Sequence, residues 1–456
     1  MEIKYIFDNA KDLVDKEVNL NGWIRNHRPQ KEFGFIDFSD GTCFKHLQIV
    51  YDNTLINFLD VSKLLVGSSI SVEGTLVKSS GNQEHEVKAK SITILDSCPS
   101  DFPIQAKRHT KEFLRENAYL RARTNMFQAV FRVRSLAAQG IHKYFGDNGY
   151  IYFNAPIITA SDCEGAGEMF QVTTLDLDKI AKSGKVDYDK DFFGKLTGLT
   201  VSGQLEAETY ALAFSKVYTF GPTFRAENSN TKTHMAEFWM IEPEIAFCDL
   251  FGLMDIEEEM LKYVIKYVMD NAADEIEFLD KFVENGLKEK LEKVVDSHFT
   301  RVTHEEVIKI LKESNEKFEF TPEYGEDIAK EHEKYITEHF GGPVFIYNWP
   351  KDIKAFYMKQ NDDGKTVGAV DLELPGVGEL IGGSQREENY DKLVSRMKEL
   401  GMNVDDMYWY VNLRKYGSCV HSGFGLGFER LIMYLTGMEN IRDVIPYYRT
   451  PGNCEF

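Results

Sequence analysis

The chain has 456 residues, of which 43% are hydrophobic, and carries a formal net charge of −20. A chain of this length can bury a large core and predicts more than one domain. The acidic total argues against a protein whose whole surface binds polyanions. A local basic patch can still hold nucleic acid, because distant charges are screened at physiological salt.

The sequence shows no pattern of export or membrane insertion. The opening MEIKYIFDNA lacks an apolar segment, and no run of 18 apolar residues occurs, so no membrane partner is expected. The six cysteines are scattered and none forms a C-x-x-C pair, which is typical of reduced thiols rather than a zinc site. We therefore predict a cytoplasmic protein.

Residues 1–97 are predicted to form a small β domain. Five short runs rich in Val, Ile and aromatic residues are separated by turns such as SDGT and SSGNQ. Five strands of this kind favour a closed barrel of the OB type, although a sandwich is also possible.

Residues 98–124 interrupt this pattern with two prolines and a dense basic run. The basic side chains are Lys107, Arg108, His109, Lys111, Arg115, Arg121 and Arg123. The segment is either a solvated linker helix or a basic hinge that faces a polyanion.

Residues 125–456 mix helices and strands without regular alternation. NMFQAVFRVRSLAAQGIHKYFGDNGY predicts a long amphipathic helix that ends at Gly149, and IYFNAPII predicts a strand. Because strands and helices do not alternate, an α+β fold with an antiparallel sheet flanked by helices is favoured over a doubly wound parallel sheet.

Two glycine-rich stretches indicate close approach by a ligand. In GFGLGFERL, alternating glycines leave one face of a strand bare, and Arg430 follows at the start of a helix. In DLELPGVGE, Asp371 and Glu379 can face one site across a turn, and such paired carboxylates suit Mg²⁺. Packing glycines and surface carboxylates are the alternatives.

The stretch FRAENSNTKTHMAEFWMIEPEIAF (224–247) predicts two strands and a loop, with FRAE in the first strand and MAEFWMIEPEIAF in the second. Arg225 can grip a phosphate and Phe238 can stack on a base. Glu227 can accept a hydrogen bond from an exocyclic amine, and His234 can reach a terminal phosphate. Together these residues indicate a nucleoside triphosphate held between an arginine and an aromatic plane.

Three of these segments resemble motifs of the class II aminoacyl-tRNA synthetases. GYIYFNAPIIT resembles motif 1, FRAENSNTKTHMAEFW resembles motif 2 and GFGLGFERL resembles motif 3, in the order of that family. The N-terminal OB domain is similar to that of the aspartyl, asparaginyl and lysyl subgroup. Longer strings such as PGVGELIGGSQREE resemble its asparagine-specific branch, and the resemblance covers essentially the whole chain.

The resemblance implies that asparagine attacks ATP to give asparaginyl-adenylate and pyrophosphate, and that the acyl group then passes to the 3′ end of tRNA(Asn). Arg225 would contact the α-phosphate as a catalytic residue. His234 and Arg430 would hold the β/γ end, with Arg430 the second catalytic residue, and Asp371 and Glu379 would hold Mg²⁺. The implied ATP ligands are Arg225, Glu227, His234, Phe238, Glu379 and Arg430.

For the amino acid, the resemblance implies a mobile-loop Glu164 and Gln204 near the α-amino group. Arg386 would grip the side chain, and Glu242 is our candidate for selecting asparagine, because its carboxylate could accept from the side-chain NH₂. An aspartate side chain would instead bring one anion against another.

The resemblance further implies a homodimer through motif 1 and an OB domain, residues 1–97, that binds the anticodon through Phe35 and Gln48. The basic segment 98–124 would connect it to a class II catalytic domain over 125–456. One departure is local: the family usually has Ser-Arg before the motif 2 histidine, where this chain has Lys232 and Thr233.

Three alternatives stay open at this point. An aspartyl-tRNA synthetase shares the OB domain and Arg386. An ammonia-using asparagine synthetase has a similar catalytic domain but would not need the OB domain. A catalytically inactive RNA-binding relative is disfavoured by the intact Arg225 and Arg430.

Overall fold

The computed structural model describes residues 1–81, 83–161, 163, 169–229 and 231–456. The chain folds into two compact units, Met1–Ala129 and Val130–Phe456. None of the helices in these described ranges has the length and hydropathy needed to cross a membrane.

The first unit contains a closed five-stranded barrel with the strand order β1-β2-β3-β5-β4. Its strands are β1 (Glu17–Pro29), β2 (Phe33–Ser39), β3 (Leu47–Asp52), β4 (Ser69–Lys78) and β5 (His85–Asp96). Its helices are α1 (Ile3–Asp8), α2 (Ala10–Leu13), α3 (Phe58–Val61), α4 (Lys111–Glu116) and α5 (Ala118–Arg121). The predicted OB barrel is therefore confirmed.

Alternating side chains fill the barrel. Along β1 every second residue from Val18 to Ile24 is buried, as the period of a half-buried strand requires. Gly22 is needed for closure, because a Cβ there would lie 2.6 Å from the carbonyl oxygen of Ser39. Outward-facing residues of β2 and β3 are left for binding.

In the second unit, the described residues form an eight-stranded sheet with the order β11-β12-β13-β14-β15-β10-β9-β6. Its strands are β6 (Ile151–Tyr152), β9 (Lys216–Phe224), β10 (Glu237–Ala246), β11 (Thr300–Thr303), β12 (Val344–Pro350), β13 (Thr366–Leu374), β14 (Gly378–Gln385) and β15 (His421–Gly427). A separate pair joins β7 (Ile158–Thr159) to β8 (Gly198–Leu199).

Most neighbours in the sheet are antiparallel, as predicted. The edge pairs β11–β12 and β6–β9 are parallel, so the sheet is larger than the six or seven antiparallel strands that the resemblance implied. The predicted strand IYFNAPII is reduced to two short strands, β6 and β7. Pro156 lies between them, and a proline has no N–H to donate to a ladder.

The remaining helices are α6 (Asn125–Asp147), α7 (Leu177–Ser183), α8 (Gln204–Phe214), α9 (Leu250–Asn271), α10 (Ala273–Phe282), α11 (Leu287–Asp296), α12 (His304–Glu313), α13 (Lys330–Phe340), α14 (Tyr390–Glu399), α15 (Tyr408–Asn412) and α16 (Phe428–Thr436). Among them, α8, α9, α12, α13 and α16 pack against strands of the sheet. Asp249 caps α9 by accepting from the Gly252 N–H at 2.8 Å. The α+β class is confirmed.

Candidate active site

The hairpin of β9 and β10 places an arginine over an aromatic ring. The strand β9 ends at Phe224, and the Arg225 N–H donates to the Ala236 carbonyl at 2.9 Å. The Arg225 guanidinium carbon lies 5.3 Å from the centroid of the Phe238 ring. A cation at this distance from a ring is attracted by the ring's quadrupole.

The prediction that FRAE lies within a strand is wrong for Arg225 to Glu227. The ladder between β9 and β10 stops at the pair Phe224–Glu237, and the residues beyond it are loop. The ladder stops because the polar residues after Phe224 face the loop and not a further stretch of β10. The backbone of Arg225 is therefore held at the end of the hairpin by its hydrogen bond to Ala236, and strand alternation does not set the direction of its side chain.

An open cleft of about 170 Å³ lies beside this hairpin. Its lining side chains and glycines come from the hairpin, β14, β15, the start of α16 and the segment after α16: Arg225, Glu227, Ser229, Thr233, His234, Met235, Phe238, Met240, Glu379, Leu380, Gly425, Gly427, Glu429, Arg430 and Ile441. All six residues predicted to bind ATP thus border one space.

The floor of the cleft is the bare backbone of β15. Gly425 and Gly427 belong to the lining, and a Cβ at Gly425 would come within 2.9 Å of the Met240 methyl carbon. The strand pairs with both β10 and β14, so its position is fixed on either side. A flat ligand can approach this backbone closely.

Arg430 and His234 border the cleft from opposite sequence segments. The Arg430 Nη1 donates to the Glu379 carbonyl at 3.1 Å and lies 3.6 Å from the Glu379 carboxylate. The His234 Nδ1 contacts the Thr231 hydroxyl. Burial lowers the pKa of His234, and the nearby Arg430 lowers it further, which favours the neutral imidazole.

Glu429 was not singled out in the sequence, yet it supports the hairpin. Its buried carboxylate accepts from Arg134 Nη2 at 2.7 Å and from the Trp239 N–H at 2.9 Å. Because Trp239 follows Phe238 directly, this bond fixes the backbone beside the aromatic ring.

The backbone of the motif 2 loop is anchored by residues near the C-terminus. The Ile441 N–H donates to the Lys232 carbonyl at 2.8 Å, and Arg442 Nη1 donates to the Thr231 carbonyl at 3.1 Å. The Ala236 N–H donates to the Arg449 carbonyl at 2.8 Å. A distant part of the chain therefore holds this loop at Thr231, Lys232 and Ala236.

Asp371 and Glu379, the predicted metal ligands, lie near each other beside Gly382, but of the two only Glu379 lines the cleft. Their carboxylate oxygens lie 3.4 and 3.1 Å from the point that a Cβ at Gly382 would occupy. Asp371 is also bound by Lys354 Nζ at 2.6 Å, a contact the sequence did not reveal. Burial raises the pKa of Asp371 to about 6, although Lys354 opposes the rise.

Among the residues that the structure describes, no group of three or more His, Cys, Asp or Glu side chains is arranged to hold a metal ion. Any cation at Asp371 and Glu379 would therefore need further ligands from a bound molecule.

Glu242 lies further along the same face of β10 as Phe238 and Met240, because alternate strand residues share a face. Its buried carboxylate accepts from the Ser202 hydroxyl, from the Gly203 N–H at 3.0 Å and from the Thr219 hydroxyl at 3.1 Å. The residue is thus fixed in position before any ligand binds.

Arg386 and Gln204 are both buried and both already paired. The Arg386 guanidinium donates from Nε and Nη2 to the two oxygens of Glu244, and from Nη1 to the Ser384 hydroxyl at 2.7 Å. The Gln204 amide donates to Glu208 at 3.2 Å. Glu164, the predicted loop residue, lies outside the described residues.

In the first unit, Phe35 and Gln48 lie on the outward face of the barrel. The Arg28 guanidinium carbon is 5.3 Å from the Phe35 ring centroid, and Arg28 Nη2 donates to Gln48 Oε1 at 3.2 Å. Gln48 Nε2 in turn donates to Glu86 at 2.8 Å. Arg28 and Glu86, which the sequence analysis missed, orient the amide of Gln48.

The basic segment is not uniformly solvated. Arg121 is buried and its guanidinium carbon lies 4.6 Å from the Phe127 ring centroid. The guanidinium carbon of Arg123 lies 5.4 Å from the Phe102 ring centroid. These two arginines serve packing within the first unit, whereas Lys107 and Arg108 are exposed. Contact of the segment with RNA remains a prediction.

Two family descriptions match the sequence. Residues 110–451 match tRNA synthetases class II (D, K and N), and residues 18–95 match an OB-fold nucleic acid binding domain. An asparagine–tRNA ligase of Clostridium beijerinckii is 57% identical over 458 residues, covering 100% of this chain and 99% of the relative. One of Clostridium tetani is 56% identical over 460 residues, with the same coverage.

Solved structures agree. The asparaginyl-tRNA synthetase of Pyrococcus horikoshii, complexed with asparaginyl-adenylate, gives a TM-score of 0.85 at 31% identity and covers 97% of each chain. An aspartyl-tRNA synthetase of Entamoeba histolytica gives a TM-score of 0.76 at 19% identity, covering 98% of this chain and 91% of its own. At that identity the second likeness supports the fold alone.

Proposed function

Because the chain belongs to the class II tRNA synthetases of the D, K and N group, we propose specific roles for its cleft residues in an asparagine-activating reaction. Its reaction is the ATP-dependent ligation of asparagine to tRNA, the activity named for full-length relatives at 56 to 57% identity. The aspartyl alternative has no comparable support, since the aspartyl structures share only 19 to 20% identity.

The observation that carries these roles is the continuity of one face of β10. Phe238 and Met240 border the cleft, and Glu242 follows on the same face two residues on. Over the four residues from Phe238 to Glu242 the strand advances about 13.6 Å. A nucleotide over Phe238 therefore has its α-phosphate within reach of an amino acid beside Glu242.

In the first step, the carboxylate of asparagine attacks the α-phosphorus of ATP and pyrophosphate leaves. The nucleophile is already an anion, so no side chain has to remove a proton. Catalysis then consists of positioning and of stabilising charge on the phosphate. We assign Arg225 to the α-phosphate, Phe238 to the adenine, and His234 with Arg430 to the β/γ end.

Glu227 borders the cleft beyond Arg225 and is assigned to the exocyclic amine of the adenine. Its carboxylate can accept a hydrogen bond from that amine. His234, held neutral by burial and by Arg430, would act as a hydrogen-bond donor to phosphate. Arg430 would supply the positive charge and would cover the adenine opposite Phe238.

We assign Mg²⁺ to Asp371 and Glu379. Their oxygens lie near each other beside Gly382, and the raised pKa of Asp371 indicates an anion that would gain from a nearby cation. Mg²⁺ bound there would neutralise charge that develops on the phosphate oxygens. Lys354 already compensates part of the charge of Asp371 and fixes its orientation.

The amino acid would lie between Glu242 and Arg386. A carboxylate has about four acceptor positions, and three of those on Glu242 are used by Ser202, Gly203 and Thr219. The position left on Oε1 would accept from the side-chain NH₂ of asparagine. Gln204 would contact the α-amino group, and Glu164 remains assigned to the closing loop by resemblance alone.

We propose that the OB face reads the anticodon of tRNA(Asn). Phe35 offers a ring for stacking, and Gln48 presents an amide oriented by Arg28 and Glu86. Stacked aromatics beside polar side chains that bind base edges are the usual means of reading single-stranded RNA.

We further propose a homodimer, with the second copy seated on the β6 edge of the sheet. β6 pairs only with β9 in the described sheet, so its other side is an open edge. Large apolar side chains near it are 43 to 51% exposed: Ile151, Tyr152, Tyr210 and Phe214. An open edge beside exposed apolar side chains is typical of an interface.

The cytoplasm remains the proposed compartment, because the six cysteines are scattered along the chain, as is typical of reduced thiols.

The test is amino-acid-dependent exchange of pyrophosphate into ATP. Exchange should depend on asparagine and be weak with aspartate, and Arg225→Ala should abolish most of it. Free asparagine formed from aspartate, ATP and ammonia would contradict the proposal, as would ATP binding without any exchange.

A further inference from the structure

A fully buried carboxylate, Glu208 on α8, is bound by donors from α15, from the turn that follows it and from β15. Tyr410 donates to it at 2.8 and 3.0 Å, Arg414 at 2.9 Å, and His421 Nε2 lies at 3.0 Å. The Gln204 amide also donates to it at 3.2 Å. Burial alone would raise the pKa of Glu208, but Arg414 and His421 lower it well below its usual range, so Glu208 is an anion.

This anion lies next to the arginine assigned to the substrate side chain. Arg386 Nε is 4.0 Å from Glu208 Oε1, while the same Nε and Nη2 donate to the two oxygens of Glu244. Burial alone would lower the pKa of Arg386, yet Glu244 and Glu208 raise it. Arg386 is therefore charged, with a carboxylate beside it on two sides.

The buried groups around Arg386 pair opposite charges. Two guanidinium groups, Arg386 and Arg414, together with the imidazole of His421, face two carboxylates, Glu208 and Glu244. Both oxygens of Glu244 accept N–H groups, the arrangement of an ionised carboxylate, although burial raises its pKa to about 7. Glu257, on α9 beneath the sheet, adds little charge because burial raises its pKa well above the usual value.

The pairing of Arg386 with buried carboxylates changes what it offers to a ligand. An isolated buried guanidinium would strongly favour a carboxylate, because charges interact much more strongly in the interior than in water. With its charge compensated, Arg386 still presents N–H donors, which suit the carbonyl oxygen of an amide. Glu242, a carboxylate two residues before Glu244 on β10, suits the NH₂ of the same amide.

We propose that Glu208 determines amino-acid specificity from behind the pocket: by balancing the charge of Arg414 beside Arg386, it keeps the side-chain subsite neutral enough to prefer asparagine over aspartate. Glu208 acts through Arg386 and is not assigned a contact with the substrate. The proposal rests on the assignment of Arg386 to the substrate side chain.

The test compares opposite charge changes in the full-length protein. Glu208→Gln removes a negative charge and should lower the ratio of kcat/KM for asparagine over aspartate in pyrophosphate exchange by on the order of tenfold. Arg414→Gln removes a positive charge and should raise the ratio. The double variant Glu208→Gln with Arg414→Gln should return the ratio to within about threefold of the wild type.

Tyr410→Phe is the matched control, because it removes a hydrogen bond to the same carboxylate without changing charge. Its ratio should stay near the wild-type value. A purely structural role would lower kcat/KM for both amino acids alike in Glu208→Gln, or would give Tyr410→Phe the same shift, and either result would overturn the proposal. The ratio of the inhibition constants for non-hydrolysable asparaginyl- and aspartyl-adenylate analogues should shift in the same direction as the ratio of kcat/KM. This measurement does not depend on turnover.

The double variant keeps the test decisive if Glu208→Gln alone is poorly folded, since it removes one buried charge of each sign and leaves the net charge of the cluster unchanged. A wild-type protein that exchanges pyrophosphate with neither amino acid would refute the proposed function itself. The other outcome is a wild-type protein that prefers asparagine, with charge variants that leave this preference unchanged. It would refute the role of Glu208 and leave the proposed function standing.

Discussion

Replacing Glu242 by glutamine is the sharpest perturbation of the proposed amino-acid pocket. The wild-type carboxylate is an acceptor at every position, and the Gly203 N–H can only donate to it. The glutamine amide must therefore turn its oxygen towards Gly203 and Thr219, since a donor facing the backbone N–H would cost about 1–3 kcal/mol. Its NH₂ then faces Ser202 and the pocket.

The expected effect differs in sign between the two amino acids. The NH₂ of asparagine would meet another NH₂, and losing a hydrogen bond to a charged acceptor costs about 1.5–3 kcal/mol, or roughly 10- to 100-fold in kcat/KM. The carboxylate of aspartate would instead find a donor where an anion stood. We expect asparagine use to fall and aspartate use to rise.

The assay is pyrophosphate exchange with each amino acid in turn, with thermal unfolding as a check on the fold. Thr219→Val is the control, because it removes one donor to Glu242 at 3.1 Å without altering the charge that faces the pocket. An unchanged ratio of the two kcat/KM values in Glu242→Gln would refute the assignment of Glu242 to the substrate amide.

Three other substitutions test separate parts of the proposal. Arg225→Ala should slow exchange by about 10²- to 10³-fold, as removal of one charge-stabilising donor does in other enzymes; a wild-type rate would contradict its role at the α-phosphate. Phe35→Ala should raise the KM for tRNA roughly 5- to 100-fold through lost stacking and leave exchange without tRNA unchanged; an unaltered KM would remove Phe35 from the anticodon site. Glu379→Gln should raise the Mg²⁺ concentration for half-maximal Mg²⁺–ATP binding by calorimetry, whereas the same Mg²⁺ dependence as the wild type would exclude it as a ligand.

The sequence was most informative where local patterns coincide with local structure. Five hydrophobic runs separated by turns predicted the closed barrel, and glycines alternating with apolar residues predicted the bare strand β15 under the cleft. The ends of strands were harder to predict from the sequence. Nothing local marks where the ladder of β9 stops, because Phe224 and the three residues after it still alternate in polarity.

The buried charges could not be predicted from the sequence. Glu208 and Arg414 are 206 residues apart, and Arg386 and Glu244 are 142 apart. Charged residues are almost never fully buried unless they are paired, so each one read alone indicates a solvated surface. Only the fold brings the partners together, and the same holds for Lys354 beside Asp371.

The anchoring of the motif 2 loop bears on how freely its sequence can vary. Ile441 and Arg442 bind the carbonyl groups of Lys232 and Thr231, which every amino acid possesses. The anchor is therefore indifferent to the identity of the side chains it holds. Replacement of the usual Ser-Arg by Lys232 and Thr233 can therefore alter the side chains that the loop presents to a ligand while its backbone stays attached. Substitutions at these two positions can change ligand binding without disrupting the fold.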